Sequence, residues 1–366
     1  MAKIPYINLG SQWVEEREDL LPILDKVLSS GQYIGGNEVE LLEKKIAELC
    51  GSKFCIALNS GTDALVCGLA AMGIRRGDEV ITPPNSFIAS TAAIVHIGAK
   101  PVFVDVLPDQ NIDPEKIAKA ITPKTKAIMP VHLTGRMAKM DKIRQIADEH
   151  NLKVIEDSAQ AIGSKYLGIK SGKWGDIGCF STHPLKNLNA CGDGGLLVTD
   201  DHDLSIQIRL MRNHGLVDRN TVTKFGFVSR MDALQAAILN YRLDKLDLVI
   251  GKRRENAAEY MANLNPEAVY IPPELSDEFN TYHTFVIQIQ KRDSLQKYLS
   301  DLGIETSIHY PIPIHLQPAA AHLGYKLGDF PITELQSHKI LTLPVNQFLA
   351  SNQIQEICGH INKFYE

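Results

Sequence analysis

Long apolar runs are missing from this 366-residue sequence. None approaches the roughly 20 residues that a membrane-spanning helix needs, so no membrane role is expected. The opening Met1-Ala2-Lys3-Ile4-Pro5-Tyr6 lacks the apolar core of a secretory leader, and the cytoplasm is the expected compartment. Charge of one sign is also scarce. The 38 Lys and Arg face 43 Asp and Glu for a net charge of -5, without long single-sign runs. That balance leaves no basic footprint for nucleic acid. Cysteine is limited to Cys50, Cys55, Cys67, Cys179, Cys191 and Cys358, with no close pair of the zinc or redox kind. Free thiols in a reducing compartment and no metal site follow as expectations. Internal repeats, low-complexity tracts and charged tails are absent too, which excludes solenoids and tethering segments.

What remains has the composition of an ordinary globular protein, 44% hydrophobic and 22% charged. Its length suits two domains. A helix is predicted from about Val14 to Leu28, and another is marked by Val39, Leu42, Ile46 and Leu49 at helical spacing. Short apolar strands then alternate with helices: Phe54 to Leu58, Glu79 to Thr82, Pro101 to Val104, Ala127 to Val131 and Leu152 to Glu156. Helical stretches from Asp63 to Met72, Ser90 to Ile97, Pro114 to Ile121 and Met140 to His150 lie between them. Such alternation implies an α/β fold whose mainly parallel sheet is covered on both faces. Ligands collect at the carboxyl ends of the strands in sheets of this kind. A helix from about Met231 to Leu246 closes this part, and the boundary is placed there: 1–246 as an arm and large α/β domain, 247–366 as a smaller α+β domain. In the smaller part Thr284 to Ile289 and Ile304 to Tyr310 read as strands, and Ser294 to Leu302 and Asn352 to Phe364 as helices.

The chemistry centres on the stretch from Gly178 to Gly195. It sets Lys186 between a strand ending at Phe180 and a Gly-rich turn that opens another apolar run. Lysine there cannot join the apolar face of a sheet, and the glycines admit close approach of backbone or ligand. A solvated loop lysine is the plain alternative. Ser60-Gly61-Thr62 lies between a strand and a helix, where backbone N–H groups suit a phosphate, although Ser and Thr are also ordinary helix caps. Asp157 follows the strand Val154-Ile155 directly, so a buried carboxylate with a cationic partner is expected, as catalytic group or structural ion pair. Together these three are what pyridoxal 5'-phosphate requires: an anion site, an anionic partner for the ring nitrogen, and an amine.

The order of motifs along the chain resembles the DegT/DnrJ/EryC1/StrS family of sugar aminotransferases, a branch of the aspartate aminotransferase fold type I. The resemblance rests on Gly31 to Gly36, Asn59 to Leu65, Gly77 to Thr82, Val131 to Gly135, Ile155 to Ala161, Phe180 to Leu188, Ser229 to Ala237 and His309 to His315. It implies that Lys186 holds the cofactor as an internal aldimine and that Asp157 pairs with the pyridine nitrogen. It further implies that Gln160 bonds the phenolic oxygen, Phe87 stacks on the ring, and Gly61, Thr62 and Ser181 hold the phosphate. His309, Tyr310 and His315 would line the substrate side. One departure stands out: where the family has an asparagine reaching the phosphate across a dimer interface, this chain has Val228, which cannot make that bond.

The resemblance implies a homodimeric transaminase that cycles through pyridoxamine phosphate, taking nitrogen from L-glutamate and passing it to a keto-sugar, mostly nucleotide-linked, for surface polysaccharide or related amino-sugar pathways. A free keto-sugar acid of the octulosonate type, for lipopolysaccharide, is an alternative acceptor. Dehydratases of the family carry histidine in place of the lysine, and here Lys186 is present, with His183 three positions earlier. A non-catalytic regulator would have no reason to keep Lys186, Asp157 and Gln160 together. Another phosphate-binding α/β protein lacks support, since no G-x-G-x-x-G or Walker pattern follows the first strand.

Overall fold

A computed structural model describes residues 3–366. Seven strands form the central sheet: β1 Phe54–Leu58, β2 Glu79–Thr82, β3 Lys100–Phe103, β4 Thr125–Ile128, β5 Lys153–Asp157, β6 Ile177–Ser181 and β7 Gly195–Thr199. Their order across the sheet is β1-β7-β6-β5-β4-β2-β3. β2, β3, β4, β5 and β6 pair in parallel, while β7 lies antiparallel between β6 and β1. All strands but β7 therefore end on the same edge of the sheet.

The strands are short and apolar because both faces are covered. Ile56 and Leu58 pack into one core with Leu65, Leu69, Ile155, Ile177 and Leu197, while Cys55 and Ala57 point to the opposite face with Leu42, Ile46, Phe180 and Val198. That alternation is the two-residue period of a strand buried on both sides. The covering helices are α1 Leu9–Ser30, α2 Asn37–Cys50, α3 Gly61–Ala71, α4 Ile88–His96, α5 Pro114–Ala120, α6 Met140–Glu149, α7 His202–Met211 and α8 Ala233–Leu243. Among the described residues no helix is long and apolar enough to cross a membrane.

The predicted helix from Met231 to Leu246 is two elements, because the chain turns at Asp244-Lys245 and continues as α9 Leu246–Asn263. α9 joins the two cores: Leu246 and Ile250 pack against the large sheet, whereas Ala257 and Tyr260 pack in the C-terminal core. Ile4 of the N-terminal arm also belongs to that second core. The C-terminal part carries β8 Val269–Tyr270, β9 Phe285–Ile289 and β10 Ile340–Leu343 in one antiparallel sheet, with α10 Arg292–Asp301, α11 Pro331–Lys339 and α12 Ser351–Tyr365. The stretch Ile304 to Tyr310 is not a continuous strand. It makes isolated bridges, Ile4 with Ile304 and Ser307 with Thr342, before Pro311 and Pro313 interrupt further pairing.

Candidate active site

The carboxyl ends of five strands deliver the polar residues to one cavity of about 320 Å³. β1 leads into Ser60-Gly61-Thr62, β2 into Phe87, β4 into Val131, β5 into Asp157 and Gln160, and β6 into Ser181 and Lys186. Tyr6, Arg253, His283, His309, Tyr310 and Asn346 complete the wall from the arm, α9 and the C-terminal part.

Asp157 ends β5 and is buried. Its Oδ2 accepts a hydrogen bond from Ser90 Oγ at 2.6 Å, and its Oδ1 accepts one from the Ala159 N–H at 3.1 Å. Ser90 reaches it from the first turn of α4, and these two donors fix the carboxylate while leaving acceptor capacity toward the cavity. The expected cation is Lys186, which feels Asp157 across the cavity without a direct ion pair. Burial pushes the Lys186 ammonium down to about 8, with Asp157 pulling the other way. The side chain is half-buried and opens on the cavity.

The Lys186 loop is held from both sides. Asn187 Nδ2 donates to the Thr281 carbonyl at 2.9 Å, and the Lys186 N–H donates to the His183 carbonyl at 2.8 Å. Asn189 and Gln12 of α1 exchange amide hydrogen bonds at 3.1 and 3.0 Å, while Arg242 of α8 donates to the Asn189 carbonyl at 2.7 Å and pairs with Glu16 at 2.7 Å. Gln12, Glu16, Asn189 and Arg242 are all buried, so this is a closed polar network tying the loop to two helices.

At the other end of the cavity, the Ser60 hydroxyl accepts the Asp63 N–H at 3.1 Å and serves as the cap of α3. The N–H groups of the first turn, Gly61 and Thr62, have no helical carbonyl before them. Gly61 is required sterically, because a Cβ there would stand 2.7 Å from Ser181 Cβ. Gln160 Oε1 accepts the Thr134 N–H at 2.8 Å, which turns its amide donors elsewhere. Phe87 stands at the start of α4, 56% exposed, with its ring 5.8 Å from that of Tyr310. Burial, reinforced by Asp157, keeps the Tyr310 phenol protonated, with Gln160 opposing. His309 is pushed down to about 4 by burial and by Lys186, and its Nδ1 lies 2.9 Å from Thr342 Oγ1.

A family model for the DegT/DnrJ/EryC1/StrS aminotransferases matches residues 14–362. The chain belongs to this family. It is 41% identical over 366 residues to a pleiotropic regulatory protein of Geobacillus stearothermophilus, covering 99% of this chain and 98% of the relative. It is 37% identical over 366 residues to the dTDP-3-amino-3,4,6-trideoxy-alpha-D-glucose transaminase of Streptomyces venezuelae, covering 100% and 97%. The crystal structure of ntda from Bacillus subtilis with bound cofactor PMP superposes with a TM-score of 0.89 at 36% identity, covering 99% of this chain and 86% of that one. The protein is thus a pyridoxal-phosphate-dependent sugar aminotransferase of the fold type I class.

The residues of this family member suit that cofactor on their own geometry. A buried carboxylate with spare acceptor capacity, an amine of lowered pKa, an exposed aromatic ring and an open helix N-terminus face one another around one cavity. His315 is the exception among the residues singled out in the sequence. It does not line the cavity: it is buried against Phe330, with ring centroids 4.7 Å apart, and its Nε2 lies 3.0 Å from Glu334 Oε1. The short turn Ile314–Leu316 directs it inward, where the Glu334 carboxylate that also accepts the Gly328 and Phe330 N–H groups takes it up. Val228 likewise lies outside this cavity, exposed on a hairpin where it bridges Asn213. Ser90, Arg253, His283 and Tyr6 escaped the sequence reading. Ser90 reads as the polar side of a short helix, and Arg253 beside Arg254 reads as solvated helix charge.

Proposed function

We propose that this aminotransferase moves the amino group of L-glutamate to a nucleotide-linked keto-sugar, working as a homodimer. The observation that carries the reading is the shared cavity of Lys186, Asp157 and the Ser60–Thr62 turn, taken with the relatedness to a dTDP-sugar transaminase. When bound, the cofactor supplies an electrophilic carbon for amines and a ring that accepts the electron pair left by a departing proton. Asp157, fixed by Ser90 and Ala159, would hold a proton on the ring nitrogen. Gln160 would donate to the phenolic oxygen, and Phe87 would cover one ring face. The Gly61 and Thr62 N–H groups and the Ser181 hydroxyl would hold the phosphate. Lys186 would hold the cofactor and, freed as an amine, would take a proton from the donor carbon in the first half of the cycle and, as an ammonium, would deliver a proton to the acceptor carbon in the second. Its lowered pKa makes the free base accessible near neutrality. His309 and Tyr310, both neutral at pH 7, would face the acceptor with hydrogen-bonding groups rather than charge.

Exposed Trp13 and Val14 on α1 and Phe225, Phe227 and Val228 on the hairpin support a second copy that would cover apolar side chains of this chain. The acceptor is tested with ¹⁵N-labelled L-glutamate and a panel of dTDP- and UDP-linked keto-sugars beside a free keto-octulosonate. Mass spectrometry should find ¹⁵N in a nucleotide-linked amino sugar. Label found only in the octulosonate would overturn the nucleotide-linked reading.

A further inference from the structure

Asp105 stands two residues beyond β3, the edge strand of the central sheet, and is 4% exposed. A carboxylate buried to that degree must find donors. Asp105 finds most of them in the C-terminal part. Its Oδ1 accepts the Thr333 N–H and the Thr333 hydroxyl, each at 2.9 Å, and its Oδ2 accepts the Ile332 N–H at 3.1 Å. The Val106 N–H at 2.9 Å and the partly exposed Lys116 at 3.4 Å add to these. Ile332 and Thr333 lie in the first turn of α11, whose own N-cap position is Phe330, a side chain with no acceptor, followed by Pro331. The helix therefore takes its cap, and a negative charge at its N-terminus, from the edge of the large sheet.

α11 belongs to a strap, residues 311–339, that leaves the cavity wall at Tyr310 and returns to the C-terminal sheet as β10. Other contacts tie the strap to the same sheet edge. The Ile314 N–H donates to the Pro84 carbonyl at 2.7 Å, the Phe103 N–H to the Tyr325 hydroxyl at 3.3 Å, and Gln336 Nε2 to the Leu107 carbonyl at 2.9 Å. Ile314 and Phe330 pack with Phe103. Glu334, beside Thr333 in α11, faces His315 Nε2 at 3.0 Å, so His315 links the capped helix to the turn that follows Tyr310. Pro84, which holds that turn, precedes Phe87 by three residues, and the Phe87 ring lies 5.8 Å from that of Tyr310. A continuous path thus runs from Asp105 through α11, Glu334 and His315 to the wall of the cavity.

We propose that Asp105 is a positioning residue for the sugar acceptor: by capping α11 from the large sheet it holds the strap, and with it Tyr310, in place against Phe87. A keto-sugar near its reacting carbon offers neutral hydroxyls. It is held by hydrogen bonds that weaken steeply with distance and angle, and a displacement of about 1 Å is enough to misplace it. L-Glutamate carries two carboxylates, whose attraction to cations falls off more slowly. Loosening the strap would therefore impair the acceptor half of the cycle and spare the donor half. This inference rests on the aminotransferase reading above, with Tyr310 on the acceptor side.

The test separates the two half-reactions in Asp105→Ala. L-Glutamate added to the pyridoxal-phosphate form reports the donor half as 2-oxoglutarate. The nucleotide-linked keto-sugar that takes up ¹⁵N in the panel above, added to the pyridoxamine-phosphate form, reports the acceptor half. Acceptor KM should rise about tenfold or more, while the donor half-reaction and cofactor retention stay unchanged. Hydrogen exchange followed by mass spectrometry should quicken over residues 311–337 and not over 178–195. Faster exchange with an unchanged acceptor KM, an equal loss in both halves, or no change in exchange overturns the proposal. Asp105→Asn keeps one oxygen for Thr333 and should restore part of the loss. Should Asp105→Ala not fold, Asp105→Asn is read in its place: acceptor KM alone is expected to rise about threefold or more, and no rise overturns the proposal. Failure of the aminotransferase reading would look different, because wild type itself would then form no 2-oxoglutarate or pass label to no sugar of the panel.

Discussion

At neutral pH an exposed lysine is almost wholly protonated, whereas burial brings Lys186 down to about 8 even with Asp157 opposing. A lysine whose folded-state pKa is lowered gains its free base as pH rises through the lowered value, so the amine becomes nucleophilic from about pH 8 upward. Reductive trapping of pyridoxal phosphate on the apoprotein should follow that titration, with a midpoint near 8; a midpoint near the ordinary lysine value would contradict the account. Asp157→Asn removes the charge that would hold the ring proton and should lower turnover by about 100-fold or more. Ser90→Ala removes only the 2.6 Å donor to Asp157 and should cost about tenfold in kcat, in the range of one charge-assisted hydrogen bond, with donor KM little changed. Asp157 stood out because it comes at the end of an apolar strand, where a charged residue has no plain structural place, and Lys186 because it lies on a loop between a strand and a Gly-rich turn. Ser90 and Arg253 were not, since a serine in a nine-residue helix and an arginine in a charged helical stretch become special only through what folds against them.

Among the elements, α1 does more than cover the sheet. Gln12 and Glu16 project from it into the network that grips Asn189, three residues beyond Lys186. Glu16→Leu would leave Arg242 buried without its carboxylate and should destabilise the fold by about 3–5 kcal/mol, read as a lowered urea midpoint. A change below 1 kcal/mol would mean that the loop is held by other contacts. The strands of the sheet and the helices that alternate with them were readable from apolar period, whereas their order across the sheet was not. The break between α8 and α9 was not, because Asp244-Lys245 carries neither glycine nor proline and the apolar pattern runs through it. The misread stretch Ile304 to Tyr310 has a strand's composition, yet it makes only isolated bridges, to Ile4 and Thr342, before its prolines. His315 failed for a similar reason: a histidine in a motif says nothing about the direction of a turn, and Glu334 lies nineteen residues away.

On the scale of the whole molecule, α1 and the 213–228 hairpin each carry exposed apolar side chains, with Phe225 fully exposed and Val14 at 67%. Exposed apolar side chains gathered into a patch mark interaction surfaces. Sedimentation should give twice the chain mass, and Phe225→Asp combined with Val14→Lys should shift it toward the monomer while the α/β core stays folded. A fully active wild-type monomer would contradict the dimer. The central claim, that this cavity performs transamination, is tested most directly by a half-reaction: purified protein loaded with pyridoxal phosphate receives L-glutamate without acceptor, and the visible cofactor band and 2-oxoglutarate are followed together. The account predicts that the band bleaches as stoichiometric 2-oxoglutarate forms, and that Lys186→Ala shows neither. A stable band with no 2-oxoglutarate in the wild type would contradict it.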